Sequence, residues 1–290
     1  MMTIKKFIKR HPELTYFVLT FIFTWGCMAL AVYPDGFPIT EERFETAGAL
    51  VYVAMLVGPG GAGILLTGLI DGRAGFRELF SRLFRWRVGP RWYAIALLIA
   101  PLMITTILLG LSLFSSNFQP AMFTSDGKSA LVLSSIIAGL VVGFFEELGW
   151  TGFTVPRLNR RYGVLNTGLI VGFVWGAWHF LPFWKNDTFS ATFPLVLLLG
   201  QLFSWLPPYR VLMVWVYDRT ESLLVSVLMH ASLMASLNAL VPTKLSGTTL
   251  LTWILVWAAV LWVIVGAVAI AINRRYSRQP VQKQMASRLG

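Results

Sequence analysis

Apolar residues along this chain come in long blocks, and the polar segments between the blocks are short. Eight blocks read as membrane-spanning helices, at roughly 14–34, 47–70, 92–116, 129–152, 165–184, 194–217, 222–241 and 250–272. One segment follows a different pattern. In FRELFSRLFRW, residues 76–86, Phe76, Leu79, Phe80, Leu83 and Phe84 recur at helical spacing while Arg77, Arg82 and Arg85 fall off that face. That alternation predicts an amphipathic helix lying in the membrane interface as a topology anchor. The expected fold class is therefore all-α: a polytopic membrane protein of about eight transmembrane helices plus one interfacial helix. Neither a linker nor an internal repeat divides residues 1–290, which read as a single membrane domain.

Local punctuation refines the picture. GPGGAG at 58–63 resembles a phosphate loop but lacks the Lys-Ser/Thr that would follow, and it sits inside a span. Close helix packing or a kink at Pro59 is the better account. Pro207-Pro208 predicts a break in the sixth span.

Composition agrees. Hydrophobic residues make up 56% of the 290 and charged residues 13%, about half the charged fraction of a soluble domain, and the mean hydropathy is +0.68. Twelve tryptophans and eight tyrosines suit two interfacial belts. The lone cysteine, Cys27, excludes an internal disulfide framework and a cysteine-rich metal site.

A net charge of +11 could suggest nucleic acid, but the basic residues cluster in short loops and tails. Membrane topology and anionic lipid explain them better. Lys5, Lys6, Lys9 and Arg10 precede the first span. The loop at 35–46 is acidic, whereas Arg73, Arg77, Arg82, Arg85, Arg87 and Arg91 crowd the segment before the third span. Arg157, Arg160 and Arg161 follow the fourth, and 273–290 is a basic tail. The expectation is a multi-pass protein of the cell membrane with both termini cytoplasmic. Ala29-Leu30-Ala31 could mark a signal-peptide cleavage site, although the apolar stretch before it is long for one.

The candidate chemistry lies in the ionisable residues left inside the spans. Of thirteen acids, Glu146 and Glu147 alone fall well inside a span, in FFEELGWTGF. Two of the three histidines do so: His179 in GFVWGAWHF and His230 in SVLMHASLM. Arg210, beside the Pro207-Pro208 break, is an ambiguous fifth. Each such group is costly unless it meets a partner or water, so four of them on three helices are best satisfied together. A desolvated carboxylate can take a proton from water and hand it on. Histidine can orient that water, protonate a leaving amine or bond to an oxyanion. Glu146, His179 and His230 could instead hold a divalent metal such as zinc. A proton relay, a helix–helix clamp and a transport site are the other readings of the same residues. Adjacent helical residues diverge by about 100°, so one glutamate is expected to do chemistry and the other to be tied to a structural partner. Counting residues places Glu146 near one end of its span and His179 near the opposite end of its own, a gap that a shared site must close.

These residues resemble the CPBP (CAAX-processing and bacteriocin-processing, or Abi) family of intramembrane proteases. Its signature of EExxxR, FxxxH and HxxxN on successive helices is matched here by Glu146-Glu147-LGWT, Trp175-GAW-His179 and His230-ASL-Met234. EELGWTGF, WGAWHF and the arginine-rich FRELFSRLFRWRVGPRWY look like the bacterial branch, which implies a prokaryotic source. The resemblance covers about residues 47–240 and implies a protease core there. It implies that Glu146 and His179 activate the attacking water, that Glu147 supports the site, and that His230 helps to stabilise the oxyanion, with no cofactor favoured. The implied substrate is a hydrophobic or lipidated peptide reached from the cytoplasmic side, and the implied partners are that peptide and membrane lipids, not nucleic acid. Thr151 stands where the first motif has arginine, so Glu147 is expected to lack a cationic partner. Met234 stands where the third has asparagine, and its thioether cannot donate to an oxyanion. A non-catalytic peptide-binding scaffold is therefore the alternative, with a proton-coupled transporter behind it.

Overall fold

The computed structural model describes residues 4–286, and side chains over 5–273. The described residues form helices and turns only. In chain order the α-helices are α1 (Ile4–Arg10), α2 (Pro12–Val32), α3 (Glu41–Leu66), α4 (Gly72–Leu83), α5 (Pro90–Ser112), α6 (Ala121–Thr124), α7 (Lys128–Gly149), α8 (Val155–Trp178), α9 (Phe180–Phe183), α10 (Thr192–Phe203), α11 (Leu206–Thr220), α12 (Leu223–Leu240) and α13 (Gly247–Ala286). Local chemistry fixes several starts. Pro12 and Pro90 open α2 and α5, where a missing N–H costs nothing. The Thr40 and Ser222 hydroxyls cap α3 and α12 by accepting from the Arg43 and Val225 amides.

Among the described residues, seven helical stretches are long and apolar enough to cross a membrane. They cover all eight expected spans, because the longest stretch, Lys128–Trp178, contains two of them. Gly163, with φ 71° and ψ 175°, interrupts its helical geometry, and side chains on the two sides of that glycine are hydrogen-bonded to each other, as described below. The chain therefore turns back there. The basic segment expected as a loop at 153–164 is instead helical up to that turn. α4 covers most of the expected amphipathic segment: Leu79 and Leu83 are buried, whereas Phe80 and Phe84 are exposed.

Backbone proximity explains the glycine pattern. A Cβ at Gly143 would sit 2.7 Å from the Val227 carbonyl oxygen of α12, and one at Gly149 would meet the Pro59 carbonyl oxygen at 2.1 Å. The GPGGAG segment thus gives α7 a close seat on α3, as its composition suggested. α12 is the most enclosed of the candidate spans and packs on both α7 and α5.

Candidate active site

Five residues of π-helix, Trp150–Thr154, separate α7 from α8. The wider turn alters the carbonyl ladder just after the two glutamates. Two of its carbonyls accept from arginines: Gly152 from Arg82 at 2.9 Å and Phe153 from Arg157 at 2.6 Å. Arg157 also pairs with Asp71, which ends a second π-helix, Thr67–Asp71, between α3 and α4.

The turn at Gly163 closes the gap that residue counting left between Glu146 and His179. Glu146 precedes Gly163 by 17 positions and His179 follows it by 16. At about 1.5 Å per residue both lie roughly 25 Å from the turn. The Trp175 indole N–H donates to Glu146 Oε2 at 3.0 Å across the hairpin. The Trp150 indole donates to the same oxygen at 3.2 Å. Oε1 of Glu146 has no hydrogen-bond partner among the described residues, and the side chain lines a cavity of about 520 Å³.

Glu147 turns the other way and is fully enclosed. Arg210 Nη1 donates to both of its oxygens at 2.9 Å, His230 Nδ1 lies 2.8 Å from Oε1, and the Thr151 hydroxyl donates to Oε2. The two adjacent acids therefore divide as their helical angle requires: Glu146 faces open volume and Glu147 is saturated. Arg210 corrects the expectation that Glu147 lacks a cation. The guanidinium missing at position 151 arrives from α11, and it also lies 4.3 Å from the Trp175 ring centroid.

Both site histidines have defined roles for one nitrogen. His179 Nδ1 lies 2.8 Å from the Trp175 carbonyl, which can only accept, so Nδ1 carries the proton and Nε2 keeps a lone pair. The Glu147 carboxylate accepts from His230 Nδ1, so that nitrogen too carries a proton, and the buried Nε2 has no partner among the described residues. Glu146, His179 and His230 line the one cavity, with Trp175, Tyr52, Trp205, Trp253 and Trp257 among its apolar walls. Met234 and Asn238 line it too. Both histidines donate Nδ1–H to an oxygen, as metal-ligating histidines do. Among the described residues, however, no group of three or more His, Cys, Asp or Glu is placed to hold a metal ion.

The cavity has a direction within the bundle. The cavity runs from Glu146 past Asn238 to Val241, Pro242 and Thr243 at the end of α12, and along Leu250–Trp257 at the start of α13. The arginines sit at the opposite end, where Ser222 at the start of α12 donates to the Arg85 carbonyl. The cavity therefore extends away from the arginine-rich face. α12 and α13 meet at that far end and wall the space with side chains from both.

Sequence reasoning missed the two indole donors to Glu146 and left Arg210 ambiguous. WGAWHF contained the signal for Trp175, a polar-tipped aromatic four residues before a buried histidine.

The fold and site define a multi-pass α-helical membrane protein with a glutamate–histidine centre buried among its spans. Residues 128–236, which include every one of these centre residues, match the family model described as Type II CAAX prenyl endopeptidase Rce1-like. The chain is also 24% identical over 239 residues to the CAAX prenyl protease 2 of Methanococcus maripaludis, covering 77% of this chain and 82% of that protein. Both matches make the chain similar to CAAX-protease-like membrane peptidases over the part that carries the centre.

Proposed function

We propose that this protein is an endopeptidase that hydrolyses a hydrophobic or lipid-modified peptide with a water activated by Glu146 and His179. The observation that carries the reading is the opening of Glu146, His179 and His230, from three helices, onto one largely apolar cavity. Water between Glu146 Oε1 and His179 Nε2 would meet two acceptors, so a proton can leave as the oxygen attacks the peptide carbonyl. The carbonyl becomes a tetrahedral oxyanion. His230, entering the reaction with a proton from solvent on Nε2 as well as the Nδ1–H held by Glu147, donates to that oxyanion and keeps both protons throughout, while Glu147 offsets its charge. Collapse breaks the C–N bond, and the proton first taken from water passes to the leaving amine. Met234 contributes no donor, which places the demand on His230.

The aromatic walls suit a prenyl chain or apolar side chains, and the name of the methanococcal relative points to prenylated CAAX peptides. The arginine-rich loops favour cytoplasmic termini and a cell-membrane location.

The test is turnover of a peptide library, with and without a prenylated CAAX peptide, by detergent-purified wild type, Glu146→Ala and His179→Ala. Loss of at least about 100-fold in each variant is expected, in line with removing a general base. Unchanged turnover in both sinks the mechanism. Binding without turnover by wild type would favour the scaffold reading. Bound metal is measured on the same samples: stoichiometric zinc that disappears in His230→Ala would overturn the metal-free route.

A further inference from the structure

Arg210 has no assigned role, yet it touches both halves of the site. It is fully buried and does not line the cavity, so it cannot act on substrate directly. Its Nη1 holds both oxygens of Glu147, which in turn accepts from His230 Nδ1. Its guanidinium also lies on the Trp175 ring, and the Trp175 indole donates to Glu146. One cation therefore reaches His230 through Glu147 and Glu146 through Trp175. Both paths run between helices: α11 supplies Arg210, α7 the glutamates, α8 Trp175 and α12 His230.

We propose that Arg210 is the positioning residue of this centre, keeping Glu147 an acceptor so that His230 holds its Nδ1–H on Glu147 and turns Nε2 to the cavity. An arginine is suited to this because its charge persists in a buried site and its flat face packs on an indole. Without the guanidinium, neither oxygen of Glu147 is held by α11, and the His230 Nδ1–H no longer has a fixed acceptor. Thr151 shows that the charge is not supplied from the π-helix that follows α7, since its hydroxyl contributes only a neutral donor to Glu147. The inference rests on Glu146, His179 and His230 being the reacting centre, but its geometric content can be measured without turnover.

The chain has three histidines, so ¹⁵N signals of the imidazole rings in detergent can be assigned by single substitution. Wild type is expected to show His230 protonated at Nδ1. Arg210→Met is expected to lose that pattern and to lower kcat by at least 100-fold with KM within about threefold, since a positioning loss acts on the transition state. Arg210→Lys should keep the His230 pattern and lose at most about tenfold in kcat. Thr151→Arg combined with Arg210→Met returns a cation to Glu147 from the π-helix after α7 and should restore the His230 pattern at least in part. An unchanged His230 pattern in Arg210→Met overturns the proposal, as does a loss confined to KM. If Arg210→Met does not yield monodisperse protein, Arg210→Gln, which keeps a neutral donor but no cation beside Glu147, replaces it, and an unchanged pattern there is equally fatal. If wild type cleaves no peptide, the peptidase reading fails, while the ring signals still decide the role of Arg210.

Discussion

Glu146 and Glu147 are neighbours in sequence and opposites in environment. Glu147 gives up water entirely and is compensated by Arg210, His230 and Thr151. Glu147→Gln leaves the Arg210 charge uncompensated and should cost about 3–5 kcal/mol of stability, read as a lower thermal midpoint in detergent. Glu146→Gln retains an oxygen for both indoles, so its stability should stay within about 1 kcal/mol of wild type while turnover is lost. Equal destabilisation by the two would contradict the division of labour. The sequence made the pair conspicuous, because charge inside an apolar run has few explanations, and helical geometry separated their roles. It could not name the cation for Glu147. Arg210 lies 63 positions away, and interhelical pairing leaves no local periodicity to read. The motif comparison pointed to position 151, and the structure fills the need from another helix.

At the scale of elements, the apolar blocks marked every span, but not where one long helix reverses. The arginines after Gly149 looked like a loop because basic residues so often flank spans, whereas here they continue the helix and one of them, Arg157, grips the Phe153 carbonyl. Gly163 was the legible clue, and its positive φ gives the turn a residue without a side chain. Helix contact at GPGGAG was also legible, since small residues admit close backbones. It can be tested with one methyl group. Gly149→Ala drives a Cβ against Pro59 and the Tyr16 hydroxyl at 2.4 Å, and should destabilise by about 1–3 kcal/mol. Gly110→Ala in α5 meets nothing within 4 Å and should be neutral or mildly stabilising. A thermal shift of similar size in both would remove the close-packing account.

Across the whole molecule, the cavity and the arginines occupy opposite ends, which no local pattern could reveal, because it depends on how α12 and α13 meet. Membrane sidedness can therefore be read with a thiol reagent. In a Cys27→Ser background, Thr243→Cys should react with an impermeant maleimide added outside intact cells. Arg160→Cys should react only after the membrane is opened. The reverse result would place the arginine-rich face outside. The hairpin at Gly163 has a consequence for this arrangement. Its two arms, 17 and 16 residues long, act as a pair of matched gauges that set the depth of the centre from a single reference point. Removing one residue from either arm turns that arm by about 100° and shifts it by about 1.5 Å, so tolerance of insertions should be low in both arms. Adding a full turn to each arm together would keep Glu146 and His179 level with each other and carry both further from the arginine-rich face. The other helices, however, would still hold Arg210 and His230 at their former height.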